Sequence, residues 1–366
     1  MTADIVIVGA GIAGASLAWH LAPHQRVVML ESESQPGVHS TGRSAAFYAE
    51  TYGGPMVQPL TTASKSFFLT PPADFSRVPL VGPRGALHVA GPGSAALAAL
   101  KQQFAGSDVS VTHEDRADVA RHMPILAETW RSAGLWDAEC RDIDVAALHS
   151  AYLTGARRRG ATLLTDSELM AARRDGTRWI VDTRTGPLET NILVNAAGAW
   201  ADEVARRAGV PPIGIIPQRR TMVVAAIDAV VDNKWPLTVD ADGALYFKPD
   251  AGHMWISPHD EIPDIARDAR PEELDVATAI HRFEQATTAR VTRVVRSWAG
   301  LRSFAPDRLP VYGVDPQNPG FFWCAGQGGF GIQTAPAAAE MAAAGVLGQS
   351  ARIPVDPALY APDRFR

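Results

Sequence analysis

The chain has 366 residues, 46% of them hydrophobic and 20% charged, with 31 glycines and 27 prolines. That length exceeds a single compact core and predicts two domains or one large interleaved fold, and the composition excludes a disordered chain. A net charge of −5 argues against nucleic acid as a partner. In chain order, the first element is a short β-branched strand at Ile5–Val8, followed by Gly9-Ala10-Gly11-Ile12-Ala13-Gly14 in the pattern G-x-G-x-x-G. Residues 13–22 then read as a small-residue helix, and 26–30 as a second strand ending in Glu31. Gly9 permits the tight turn, Gly11 lets a pyrophosphate approach the backbone, and Gly14 lets the helix sit close on the sheet. The helix N-terminus supplies unpaired N–H groups to the phosphates, and Glu31, about 20 residues beyond Gly11, suits a ribose hydroxyl. A strand–glycine turn–helix with the acid at this distance predicts a dinucleotide, without separating NAD from FAD.

Residues 39–54, HSTGRSAAFYAETYGG, come next, where an NAD enzyme continues with another βα unit. Further on, 144–159 reads as an amphipathic helix, and 178–183 as a strand after an Asp175-Gly176 turn. Residues 191–200, NILVNAAGAW, read as a buried strand entering a glycine turn and a helix near Ala199. Residues 222–226, 244–248 and 253–257 read as antiparallel strands. The chain ends with a strand near 321–325, a glycine turn, and a small-residue helix from about Gln333. The stretch after Glu31, NILVNAAGAW and this final strand–turn–helix together decide for FAD. The last helix would aim its positive end at the flavin pyrimidine, with Gly328, Gly329 and Gly331 letting backbone N–H groups reach the ring. Cys140 and Cys324 lie far apart and in no metal-ligand spacing, which predicts a reduced, cytoplasmic protein, and Cys324 sits in an apolar strand. His88, His253 and His259 form no ligand pair, so no metal is expected. The apolar N-terminal run lacks a basic leader, and no stretch is long enough for a transmembrane segment.

The words STGRSAA, VNAAGAWAD, QRR, YFKPDAG, WAGLRSFAPD and QGGFGIQT, in that order, resemble the D-amino acid oxidase-like superfamily of FAD-dependent amine oxidoreductases. They are most similar to the bacterial D-arginine dehydrogenase branch, and the resemblance covers the whole chain. It implies an α/β fold in which a Rossmann-like FAD-binding domain (1–78, 144–212 and 300–366) interleaves with an α+β substrate domain (79–143 and 213–299) built on an antiparallel or mixed sheet. It implies FAD held by the fingerprint residues Gly9, Gly11, Ile12, Ala13 and Gly14, with Glu31; because neither cysteine falls where the covalently linked relatives place theirs, noncovalent FAD is expected. It also brings to the flavin Ser40, Thr41, Gly42, Arg43, Ser44 and Ala45; Ala197, Gly198 and Trp200; and Arg302, Gly328, Gly329, Phe330, Gly331 and Ile332. Arg43 is a cation within reach of phosphate or a nearby carboxylate.

For the substrate, the resemblance assigns carboxylate binding to Arg220 and Arg302, whose planar forks suit a bidentate grip. By the same resemblance Tyr246 matches a tyrosine that contacts the substrate, and Tyr52, before Gly53-Gly54, matches a lid tyrosine. Phe47, Ala86, Gly329 and Ile332 are expected to line the pocket. The reaction implied is hydride transfer from Cα to flavin N5, giving an imino acid that hydrolyses to a 2-oxo acid and ammonia, with electrons passed to an unidentified acceptor. The D-arginine branch carries an acid and a histidine where this chain has Ala86 and Phe47. A distal cation would lose its counter-charge there, so neutral or hydrophobic D-amino acids are expected over cationic ones. The alternatives within the superfamily are a glycine/sarcosine-type amine oxidase and a 2-hydroxy acid dehydrogenase; a more remote one is a noncatalytic flavoprotein subunit. Lys248, two residues beyond Tyr246, reads as a solvated lysine.

Overall fold

The computed structural model describes residues 1–366 and is built around two large sheets. The first has six strands, in the spatial order Val311–Val314, Phe321–Ala325, Ile192–Asn195, Ile5–Val8, Val27–Leu30 and Thr162–Leu164. All its neighbouring pairs are parallel except the edge pair Val311–Val314 with Phe321–Ala325. Its central strands are buried on both faces, which is why they read as continuous β-branched and aromatic runs without alternation. Helices Ile12–Leu21, Val145–Arg158 and Gly331–Val346 cover one face, where Ala15, Ala18, Ala337, Ala338 and Ala342 let the helices approach closely. The Asp144 carboxylate accepts from the Ala147 N–H at 2.8 Å and starts the second of these helices. The other face packs on helix Ala201–Arg207 and on the antiparallel ribbon Leu169–Asp175, Arg178–Thr183 and Gly186–Thr190.

The second sheet has ten strands and is mostly antiparallel. Its spine is the long pair Ile216–Ile227 and Val291–Phe304, continued through His253–Ser257, Tyr246–Asp250, Leu237–Asp240 and Ala86–Val89 to Gly134–Asp137 and Thr112–Glu114. Helix Glu273–Ala286 packs on it through Ala279, Phe283 and Ala286. All six strands of the first sheet lie within 1–78, 144–212 and 300–366. Strand Val291–Phe304, by contrast, runs across position 300, and its end pairs with Gln327–Gly328 just before the last helix. That crossing carries Arg302 from the substrate-side sheet to the glycine turn. A small sheet of Phe47–Tyr48, Arg141–Ile143 and Val81–Pro83 bridges the two layers. No helix is long and apolar enough to cross a membrane, and no group of His, Cys, Asp and Glu is placed to hold a metal ion.

Candidate active site

The fingerprint turn is as tight as its glycines require. Gly9 has φ +98°, and a Cβ there would lie 2.5 Å from the Ala196 carbonyl oxygen. A Cβ on Gly14 would lie 1.9 Å from the Gly9 carbonyl oxygen, so the helix seats directly on the turn. The Glu31 carboxylate accepts from the N–H groups of Ala10 (3.2 Å) and Glu33 (3.1 Å), and Thr41 Oγ1 accepts from the Ile12 N–H at 3.0 Å. His149 closes the other side, its Nε2 lying 2.8 Å from the Ala10 carbonyl oxygen. A cavity of about 390 Å³ opens here, lined by Gly9, Gly11, Glu31, Ser40, Thr41, Ala197, Gly198 and Trp200. A second, of about 100 Å³, shares Gly11, Ser40, Thr41 and Gly198 with it and runs to Ile12, Ala13, Ser44, Arg302, Gly328, Gly329, Gly331 and Ile332. A helix N-terminus, an acid for a ribose and a continuous trough toward a second helix N-terminus fit an FAD laid from adenine to flavin.

Five expected FAD contacts line neither cavity: Gly14, which seats the helix on the turn, Ala45, which lines a separate pocket beside Arg302 and Tyr246, and Arg43, Gly42 and Phe330. The Arg43 guanidinium turns away from both cavities, donating to the Ala269, Ala299 and Val38 carbonyls and pairing with Asp268 at 2.5 Å, so its charge is already satisfied by protein. Its backbone carbonyl accepts from Trp298 Nε1 (3.1 Å) and Arg302 Nη2 (3.3 Å). Gly42 packs on Gly37, where a Cβ would lie 2.7 Å from the Gly37 oxygen. The Phe330 ring packs on Tyr52 and Phe304 at 5.2 and 6.1 Å.

The register of the long antiparallel pair brings the two arginines together. Arg302 lies opposite Gln218, and Arg220 lies two residues on, so both project from the same face. A cavity of about 20 Å³ sits among Ser44, Ala45, Phe47, Tyr52, Arg220, Tyr246, Arg302, Gly329 and Ile332. Arg302 is buried, and its Nη1 finds no hydrogen-bond partner in the protein. Gly300 makes room for that nitrogen, since a Cβ there would stand 2.9 Å from it. Burial holds Arg302 below its ordinary pKa; Tyr246 offsets this only in part, and Arg220 repels it.

Arg220 is arranged differently. Its Nε donates to the Asp260 carbonyl at 2.7 Å, its Nη1 to the Tyr52 hydroxyl at 3.4 Å, and its Nη2 to Glu261 at 2.9 Å. Burial opposes its charge, yet Tyr52, Tyr246 and Glu261 outweigh burial and hold it above its usual value. The aromatic wall is continuous: Phe47 lies 5.2 Å from Tyr52 and 6.1 Å from Tyr246, ring to ring. Tyr246 donates to Met222 Sδ at 3.3 Å, and burial pushes its phenol above 10.0. His259, packed against both tyrosines, is driven down to about 3 by burial and by Arg220. Both shifts favour the neutral form of the group.

Two expectations are corrected by burial. Ala86 is 0% exposed and is absent from the pocket lining; it packs in a cluster with Met222 and Leu237 behind Ala45 and Tyr246, which do line it, and its strand pairs in parallel at Leu237. Lys248 is 7% exposed and pairs with Asp142 at 2.7 Å instead of meeting solvent. Three groups escaped the sequence reading: Glu261, Asp260, and Gln333, whose side chain accepts from the Ala49 N–H and donates to the Tyr52 carbonyl and Thr61. Only Gln333, in the first turn of a helix already singled out, had a local signal.

Residues 4–344 match the family described as DAO, FAD dependent oxidoreductase. The human mitochondrial dimethylglycine dehydrogenase is 27% identical over 366 aligned positions, which cover 90% of this chain but 41% of that protein. The glycine oxidase of Geobacillus kaustophilus (strain HTA426) is 24% identical over 91% of this chain and 90% of its own. A crystal structure of glycine oxidase from Geobacillus kaustophilus superposes with a TM-score of 0.85 at 22% identity, covering 97% of each chain. The L-proline dehydrogenase from P. horikoshii does so at 0.86 and 21% identity, over 100% of this chain and 98% of that one. These relatives correct the narrower expectation: similarity runs to glycine- and dimethylglycine-type enzymes rather than to D-arginine dehydrogenase in particular.

Proposed function

The chain belongs to the DAO family of FAD-dependent oxidoreductases, and within it we propose that this protein oxidises a small, neutral α-amino carboxylate of the glycine or N-methylglycine type. The observation that carries the reading is the pocket itself. A cavity of about 20 Å³ is lined by Arg302, whose buried Nη1 has no hydrogen-bond partner, and by Phe47, Tyr52, Tyr246 and Ile332. An anion is what a buried, unpaired guanidinium requires, and a pocket with aromatic faces and no carboxylate lining it suits a substrate without a distal cation. The dimethylglycine dehydrogenase and glycine oxidase relatives support the same class.

When bound, FAD supplies a ring nitrogen that accepts hydride. Arg302 would fix the substrate carboxylate, and with it the direction of the C–H bond. Tyr52 and Phe47 would exclude water, and Tyr246 would bound the side away from the glycine turn. Cys140 and Cys324 are buried and line none of the three cavities, which supports FAD held without a cysteine link. The division into an FAD-binding unit (1–78, 144–212, 300–366) and a substrate-binding unit (79–143, 213–299) is part of the same proposal. Oxidation of small neutral D-amino acids is a second reading, favoured by the apolar wall at Phe47.

One experiment separates these readings. The flavin-loaded protein is mixed anaerobically with glycine, sarcosine, dimethylglycine, D-alanine, D-arginine or L-lactate, and loss of the oxidised flavin band is timed. Sarcosine or a related glycine derivative is expected to bleach fastest, with D-arginine at least about tenfold slower. Fastest bleaching by D-alanine moves the assignment to D-amino acids, and bleaching by L-lactate alone, or best by D-arginine, overturns it.

A further inference from the structure

Arg220 is a carboxylate ligand already holding a carboxylate. It is 2% exposed, and a two-pronged grip by an incoming anion needs a pair of its N–H groups on one edge. The Nε edge is closed, because Nε donates to the Asp260 carbonyl. The remaining edge, Nη1 with Nη2, carries the Tyr52 hydroxyl on one nitrogen and Glu261 on the other. Glu261 does not belong to Arg220 alone. Its two oxygens also lie 3.0 and 2.8 Å from Arg308 Nη2, and Arg308 is half exposed, lying over the Phe304 ring at 4.0 Å.

The segment carrying Glu261 is held from the inside. Asp260 accepts from the Thr221 N–H (2.7 Å) and hydroxyl (2.9 Å), and His259 adopts φ +52°, a conformation rare for a side-chain-bearing residue. Asp260 on one side and the pairing of Ile262 with Arg219 on the other hold the backbone here, so a change of partner by Glu261 falls to its side chain. It has two cations to choose between, one inside the pocket and one at the surface.

We infer that Glu261 is the internal competitor for the substrate carboxylate: it occupies Arg220 in the free enzyme and withdraws to Arg308 when a substrate carboxylate arrives. The inference rests on the reading of this site as a carboxylate site, and adds to it a residue that sets how tightly a carboxylate is held. The exchange swaps one ion pair for another, so the buried Arg220 charge is never left bare, a state that would be strongly destabilising. It frees Arg220 Nη2, beside the Nη1 that donates to the Tyr52 hydroxyl, and that hydroxyl lies over Gly329, where a Cβ would stand 2.7 Å from it.

The two partners of Glu261 predict effects of opposite sign. In Glu261→Gln the competing charge is gone while a hydrogen-bond acceptor remains, so carboxylates bind tighter. In Arg308→Met the refuge is gone, Glu261 stays on Arg220, and carboxylates bind more weakly. Binding of acetate and of methoxyacetate, which lacks an oxidisable amine, is measured by calorimetry on the FAD-loaded protein, with the flavin spectrum as a second readout. We expect the dissociation constant to fall about tenfold in Glu261→Gln and to rise several-fold in Arg308→Met. A purely structural ion pair weakens binding in both variants, and that result, or an unchanged constant in Glu261→Gln, overturns the inference. Arg308 is half exposed, so its variant reports even if the Gln variant folds poorly. Failure of the wild-type protein to bind either carboxylate would overturn the underlying site assignment as well.

Discussion

Arg302 Nη1 is where the chemistry of the pocket is most exposed to test. A guanidinium in this environment keeps its charge only at a cost, and that cost is recovered when an anion meets it. Replacing it by Met preserves much of the volume and removes the cation. Truncating one partner of a desolvated charge pair costs about 3–4 kcal/mol, so kcat/KM is expected to fall by roughly 10²–10³ in Arg302→Met. The loss should appear mainly as a raised KM if the carboxylate is held equally in ground and transition states. Steady-state kinetics on the best substrate of the amine panel measures this; a change below about threefold would remove Arg302 from the carboxylate's partners. Arg302 and Arg220 look equivalent as letters in the sequence, yet one has a free nitrogen and the other has its three nitrogens engaged. Partners of this kind come from strands and loops distant in sequence, so no local pattern announces them.

At the scale of an element, the opening strand–turn–helix allows a graded test, because its glycines fail differently. Gly11 has φ −66°, and a Cβ there would meet only Thr41 Oγ1 at 3.1 Å, on the side facing the FAD trough. Gly14 would drive a Cβ to 1.9 Å from a backbone oxygen that cannot move without unmaking the turn. Gly11→Ala is therefore expected to fold with a thermal midpoint near that of the parent and a reduced flavin-to-protein absorbance ratio. Gly14→Ala is expected to lose both, at more than about 3 kcal/mol. Equal flavin retention in the two variants would break the assignment of these glycines to separate roles. This element was legible in the sequence because its logic is local: about thirty consecutive residues hold the strand, turn, helix and acid. The final helix was read almost as well, from Gln333 against an observed start at Gly331, since its small residues mark a close-packed face. The substrate side was not. Its geometry depends on how Ile216–Ile227 registers on Val291–Phe304, and a shift of one residue would turn Arg302 to the opposite face. Ala86 shows the same limit, because one strand pairing decides whether a residue lines a pocket or lies beneath it.

Across the whole molecule, the segment carrying Tyr52 is tied to the ten-stranded sheet by a buried chain of three side chains. Thr51, next to Tyr52, donates to Asp137 Oδ2 at 3.0 Å, and His88 Nε2 lies 3.1 Å from the Thr51 oxygen. Asp137 Oδ1 also accepts from the N–H groups of Glu139 and Cys140, at 2.9 and 3.1 Å. Burial raises Asp137 from 3.8 to about 6, with Glu50 adding repulsion, and burial alone lowers His88 to about 4, so His88 offers no compensating charge at neutral pH. Because the folded-state pKa is the higher one, between pH 3.8 and about 6 the folded chain holds a proton that the unfolded chain has released. The unfolding free energy therefore falls as pH rises through that window and stays lowered above it, by up to about 3 kcal/mol. An asparagine at this position can keep its oxygen on the two N–H groups and turn its amide toward Thr51, whose hydroxyl can then donate to neutral His88. Asp137→Asn is accordingly expected to raise stability at pH 8 by about 1–2 kcal/mol, to change little at pH 4, and to flatten the dependence between them. Denaturant unfolding at those pH values, with the fold checked by flavin content, measures the difference. A variant destabilised at pH 8 would mean that the carboxylate is held ionised by partners outside this network.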